Sequence, residues 1–293
     1  MNGATVQDFK NRGFDYLIAL DGEGGASNYS GPGYDNGYKD GFQLASWITF
    51  ALNGIPHYIA IPFFRPEGTP RDIIHIDYQD CYWKGWIDGV LNVPDNNLSG
   101  FYWSLENAWM FNDSQIAQGT GISRDLFEEI SNKIHQHGLE FIWIPKVHTL
   151  YWESTSVLSA KPLIDYIFIQ PHYYQADKIP YINDRGVSEE KDYSYDVLKG
   201  EYFNMAVNKL GVYWEMEADE AVLGQCGNCR VCHRSDKSNL AEKCIGYVTE
   251  YIKAQIDNMG HKFKHRAYYF GTRLEVLDKL EDYSLSKYRW GYI

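Results

Sequence analysis

The chain reads as an α/β fold of the (β/α)8 barrel type, and two features predict it. Short apolar runs alternate with longer amphipathic stretches from one end to the other, and polar residues gather at the C-terminal end of nearly every apolar run. A third feature narrows the choice: no G-x-G-x-x-G follows any run, which argues against an open nucleotide-binding sheet.

Taken in order, the expected strands are Tyr16 to Glu23, His57 to Phe64, Phe101 to Glu106, Glu140 to Val147, Tyr166 to Tyr173, Val212 to Asp219 and Arg266 to Thr272. Between them, apolar residues recur at three- and four-residue spacing over about 38–53, 80–92, 123–137, 190–209, 236–259 and 273–282, the period of amphipathic helices. Ser123 ahead of Glu128 and Glu129 is a helix start, and Gly138 and Gly211 are helix stops. The tail Tyr283 to Ile293 is the candidate eighth strand, which is otherwise irregular or missing. At 293 residues the chain fits one barrel domain, 1–293, carrying an inserted cysteine-rich loop at 224–244.

Composition bounds the function. A net charge of -12, with no dense cluster of Lys and Arg, opposes binding to a phosphate backbone, so no nucleic-acid partner is expected. No run reaches the roughly 20 apolar residues of a membrane span, so no membrane partner is expected either. Aromatic residues at 16% exceed what packing asks for, and flat rings are what sugar faces stack on. The start Met1-Asn2-Gly3-Ala4-Thr5 lacks the basic and apolar segments of a secretory signal, giving a cytoplasmic expectation, or a secreted one if a leader was removed. Oligomeric state is left open.

Pleat geometry sorts the candidate site residues. In Val212 to Asp219 the period of two sets Trp214 and Met216 toward helices and Tyr213, Glu215, Glu217 and Asp219 on the other face. Three neighbouring carboxylates in a poorly solvated place resist joint ionisation, so one of them holds a proton near neutrality. Buried ion pairs to Lys146 or Arg273 are the structural alternative. Tyr102, Ser104 and Glu106 share the inward face of the third strand, Asp21 and Glu23 a face of the first, Gln170 and His172 of the fifth, and Lys146 and His148 of the fourth.

Glycosidic cleavage needs a carboxylic acid to protonate the leaving oxygen and a second carboxylate across the sugar. Glu106 is assigned as acid/base and Glu217 as nucleophile or base, with Glu215 tuning their protonation. Glu215 and Glu217, about 6.6 Å apart by strand rise, can themselves be the pair. Asp21, Glu23, Tyr102, Lys146, Gln170, His172, Tyr213 and Asp219 are assigned to substrate binding. The expected activity is a glycoside hydrolase acting on a polysaccharide or glycoconjugate; the alternative is a carbohydrate- or small-ligand-binding barrel without catalysis.

The blocks Gly100-Phe101-Tyr102-Trp103, Phe141-Ile142-Trp143-Ile144-Pro145, Ile169-Gln170-Pro171-His172-Tyr173 and Glu215-Met216-Glu217-Ala218-Asp219 resemble, in this order, a bacterial family of uncharacterised glycosidase-like TIM-barrel proteins. The resemblance spans roughly residues 80–275 and implies a barrel with a carbohydrate-related site. Two positions depart from it: Lys146 stands where that family tends to have Tyr, and His172 where it tends to have Asn.

Cys226, Cys229 and Cys232 stand at C-x-x-C-x-x-C spacing, with Cys244 further on. Four thiolates suit a tetrahedral structural zinc, the expected cofactor, bracing the pocket rim. An iron–sulfur cluster and two disulfides are the alternatives, and His233 can replace Cys244 as fourth ligand, because Cys244 also falls on an apolar helical stripe with Leu240, Tyr247, Val248 and Tyr251. No organic cofactor is expected, and Cys81 is read as core.

Overall fold

The computed structural model describes residues 4–20, 29–73, 77–224, 240–260, 264–271, 273–289 and 291–292. It is an α/β protein with parallel strands, and the chain packs as two compact units.

The first unit comprises Thr5–Pro145 and Ser156–Ile167. It opens with α1 (Val6–Asn11), whose start is closed by a capping box between Thr5 and Asp8. Then follow β1 (Leu17–Ala19), α2 (Tyr34–Ala51), β2 (His57–Ile61), α3 (Tyr82–Leu91), β3 (Leu98–Trp103), α4 (Asp113–Ala117), α5 (Arg124–Gln136), β4 (Glu140–Trp143) and α6 (Val157–Ala160). Strands β1 to β4 pair in sequence order, all parallel, and β4 goes on to pair with Tyr166 and Ile167 of β5 (Tyr166–Ile169).

Every residue of β2 is buried, the run expected of a parallel strand covered on both faces. Trp103 turns outward, as its pleat position predicts, and meets Phe63, Trp83 and Phe127 edge-on at 5.8, 6.2 and 5.3 Å between ring centroids. The buried indoles of Trp83, Trp86 and Trp143 donate to the backbone carbonyls of Pro62, Ala60 and Leu105, so those large rings enter the core without losing a hydrogen bond. Helix α5 starts where Ser123 Oγ accepts from the Leu126 amide and ends at Gly138, whose φ of 70° suits glycine.

Helices α2 and α3 approach backbone to backbone. A Cβ on Gly37 would fall inside contact distance of the Tyr82 carbonyl, and one on Gly85 inside that of the Tyr34 carbonyl. Below that crossing lies a buried polar cluster. Asp40 accepts from Ser30 and from the Tyr82 hydroxyl, while Arg71, 1% exposed, donates to Phe64 O and Tyr82 Oη.

The second unit comprises Lys146–Thr155 and Phe168–Ile293, with Met1–Ala4. Phe168 and Ile169 of β5 pair with β8 (Tyr213–Glu217), and β8 pairs with β9 (Arg266–Tyr269), all parallel. Between β5 and β8 an antiparallel hairpin, β6 (Lys178–Ile182) and β7 (Ser188–Asp192), stands on the C-terminal side of β5. Helices α7 (Leu240–Met259) and α8 (Leu274–Tyr288) follow β8 and β9.

The seven expected strands are all present, each ending a few residues earlier than its apolar run. Two expectations are corrected. The helix expected over 190–209 begins later, because Ser188–Asp192 is strand; π-helical turns then cover Val197–Tyr202 and Asn204–Leu210, stopped by Gly211 at φ 64°. The tail from Tyr283 does not supply a strand: α8 carries through to Tyr288 and stops at Arg289 in the left-handed conformation, φ 60°.

Candidate functional site

Within the second unit the chemistry converges on the end of β8. Trp214 packs among Tyr202, Phe203 and Tyr251, and Met216 Sδ meets Gln255 of α7, so the apolar face of β8 lies against helices as its period predicts. Glu215 and Glu217 occupy the opposite alternation and are 7% and 2% exposed.

Donors from α7 and from the turn after β5 fix Glu217. Its Oε2 accepts from the backbone N–H of His172 at 2.8 Å and from the Tyr251 hydroxyl at 2.7 Å, and its Oε1 accepts from Gln175 Nε2 at 2.8 Å. Tyr251 serves in both directions, because its oxygen also accepts the Tyr174 N–H at 2.9 Å. Burial, then the charge of Glu217, pushes the Tyr251 phenol well above its ordinary value, so it stays protonated and acts as a donor. Hydrogen bonds into a buried carboxylate are of the strong, charge-assisted kind.

The His172 amide points at Glu217 because the backbone there is left-handed, with φ 52°. A histidine in that region costs about 1–3 kcal/mol, a strain that concentrates at functional sites. Its side chain is 9% exposed, with Nε2 3.2 Å from Gln170 Oε1 and 3.5 Å from Glu217 Oε1. Burial first, then Lys146 and His148, drive the imidazole down to about 3, so it is neutral. His148 stacks on it at 5.8 Å between ring centroids and is lowered as well, chiefly by burial; its Nε2 donates to the Lys178 carbonyl of β6.

Asp219 sits just past the strand, 4% exposed. It accepts from the Tyr174 hydroxyl and from the Ala221 N–H, and it caps the short turn Glu220–Leu223. Its carboxylate therefore holds the loop that follows β8.

The residues assigned from the sequence separate into groups. Glu215, Glu217, Asp219, Gln170, His172, Lys146 and Tyr213 all belong to the second unit; Gln170 bridges to Lys146 by strand-like pairing, Lys146 is exposed, and Tyr213 is half-buried beside Phe168 and His265. Tyr102, buried, and Glu106, exposed, belong to the first unit. Asp21, Glu23, Cys226, Cys229, Cys232 and His233 lie outside the described residues. Cys244 is fully buried in α7. Among the described residues no group of three or more His, Cys, Asp and Glu could hold a metal ion.

Tyr251, Gln175 and Tyr174 were not among the assigned residues. A tyrosine in the middle of an apolar helical stripe is the one signal that points to Tyr251, since its buried hydroxyl must find a partner.

A protein-family profile described as a domain of unknown function, DUF4855, matches residues 94–197. A chitinase, ChiW from Paenibacillus sp. str. FPU-7, superposes with a TM-score of 0.42 at 12% identity, covering 84% of this chain. The chain spans only 35% of that enzyme's length. The uncharacterized protein MJ0957 of Methanocaldococcus jannaschii is 30% identical over 315 aligned positions, which take in 95% of this chain and 85% of the relative. On that extent of shared sequence, the chain belongs to the family of the uncharacterized Methanocaldococcus jannaschii protein MJ0957.

Proposed function

We propose that this protein is a glycoside hydrolase-like enzyme that cleaves a glycosidic bond in a polysaccharide or glycoconjugate with carboxylates carried by β8. One observation supports the reading: Glu217, buried and held by protein donors, shares a strand face with buried Glu215 two residues earlier. The donors require acceptor lone pairs, which the ionised form of Glu217 supplies. That charge makes a second ionisation at Glu215 costly and favours the acid form there. A carboxylate beside a carboxylic acid is the pair that glycosidic cleavage uses: Glu215 gives its proton to the leaving oxygen, and Glu217 acts as nucleophile or as base for water. Neutral His172 and Gln170 are left to hold substrate hydroxyls.

The test is a panel of glycans with the wild type, Glu215→Gln, Glu217→Gln and Glu106→Gln. Each β8 variant is expected to lose about 100-fold or more in turnover while still binding glycan. Loss with Glu106→Gln and none with Glu215→Gln would instead assign the acid/base role to Glu106.

A second reading has its own support. Both oxygens of Glu217 already accept from protein donors, as in a structural anion, which fits a carbohydrate- or small-ligand-binding protein without catalysis. Glycan binding with no turnover on any panel member would favour it.

A further inference from the structure

We infer that the outer face of α2 is the contact surface through which two copies of this chain pair. Helix α2 buries one side, Gly37, Asp40, Gly41, Leu44, Ala45 and Ile48, and that side is locked to α3 by the glycine crossing. The other side carries Phe42, Trp47 and Phe50, which are 41%, 56% and 86% exposed. Single exposed apolar residues need no explanation, but three large rings within about two turns of one helix form a patch. Taking about 200 Å² per ring, they bare roughly 370 Å², close to half of the about 800 Å² that each partner gives to a standard interface.

Two features point to a second copy as the occupant. The first is charge. From Phe42 to Leu52 there is no charged residue, and Asp40 just before is buried and bonded to Ser30 and Tyr82. In a chain of net charge -12, two copies repel each other over most of their surface, and a neutral apolar stretch is where they can meet. The second is symmetry. Phe42 and Phe50 stand four residues to either side of Ser46, a small exposed residue on the same stripe. A two-fold axis beside Ser46 sets α2 antiparallel to its copy, lets the backbones approach at the serines, and lays Phe42 of each chain against Phe50 of the other. Such self-complementarity is what an isologous interface requires.

Sedimentation velocity on the full chain across the micromolar range tests this, with circular dichroism to establish that each variant is folded. The expected result is a wild-type dimer, a dissociation constant raised at least about thirtyfold by Phe50→Glu, the size of a hot-spot loss, and recovery of the dimer in Phe42→Lys with Phe50→Glu. A wild-type monomer overturns the inference, whether it stays alone or is carried down by lipid vesicles or an insoluble glycan. A dimer indifferent to Phe50→Glu overturns it too, as does a double variant no tighter than the single one.

Discussion

Replacing Tyr251 by Phe removes one oxygen and disturbs two bonds at once, which makes it the most discriminating perturbation of the site. The hydroxyl donates to Glu217 and accepts from the Tyr174 N–H, and the side chain is fully buried, so water cannot take over either role. Losing a hydrogen bond to a charged group costs about 1.5–3 kcal/mol, and a buried N–H left without an acceptor costs about 1–3 kcal/mol more. The expected loss is therefore about 2.5–6 kcal/mol, read as the shift in urea midpoint at constant m-value by circular dichroism. Tyr202 supplies the control: it is equally buried, but its hydroxyl donates to the neutral Val147 carbonyl, so Tyr202→Phe is expected to cost about 1 kcal/mol. If the two variants lose the same stability, the two-way role of Tyr251 and the fixed orientation of Glu217 are both refuted.

Three further outcomes are expected. His172 is neutral when folded, pushed down to about 3, whereas the unfolded chain protonates it below about 6.5. The stability this contributes is complete above about pH 6.5 and is lost as pH falls toward about 3, at up to about 1.4 kcal/mol per unit. His172→Asn, which keeps a residue tolerant of the left-handed backbone, should flatten the fall in Tm between neutral and acid pH, and an unchanged slope would contradict the assignment. The Tyr292 hydroxyl is buried with no hydrogen-bond partner among the described residues, so Tyr292→Phe is expected to leave Tm unchanged or higher; a fall of several degrees would mean that the hydroxyl is bonded. For the cysteine loop, a zinc held by Cys226, Cys229 and Cys232 with Cys244, or His233 in its place, should appear as about one equivalent of metal in purified protein; neither zinc nor iron, together with intact disulfides, removes that proposal.

The strands were legible because each is a short apolar run with polar residues beyond it, and the pleat of β8 was legible from its strict alternation, which set Trp214 and Met216 toward the helices. The hairpin was not. Pro180 interrupts the alternation of β6, and the charged run Ser188–Asp192 lacks the apolar residues that mark a strand, because both faces of β7 are largely exposed. At the site, the sequence picked out the acceptors and missed the side-chain donors, Tyr251 and Gln175. Glu215, Glu217 and Asp219 stand together in one block, whereas the groups that hold Glu217 come from α7 and from the turn after β5, 34 to 45 residues away in sequence. The left-handed backbone at His172 left no mark either, since a positive φ is uncommon for any residue but glycine and no glycine stands there.

The bond from the Tyr174 amide into the oxygen of Tyr251 ties a backbone proton to a carboxylate it never touches. When Glu217 changes its charge, the phenol between them polarises differently, and the amide registers that as a change in chemical shift. A single nitrogen-bound proton, two bonds removed from the proposed chemistry, thus becomes a native gauge of the ionisation of Glu217, readable without a label on the carboxylate or any knowledge of the substrate.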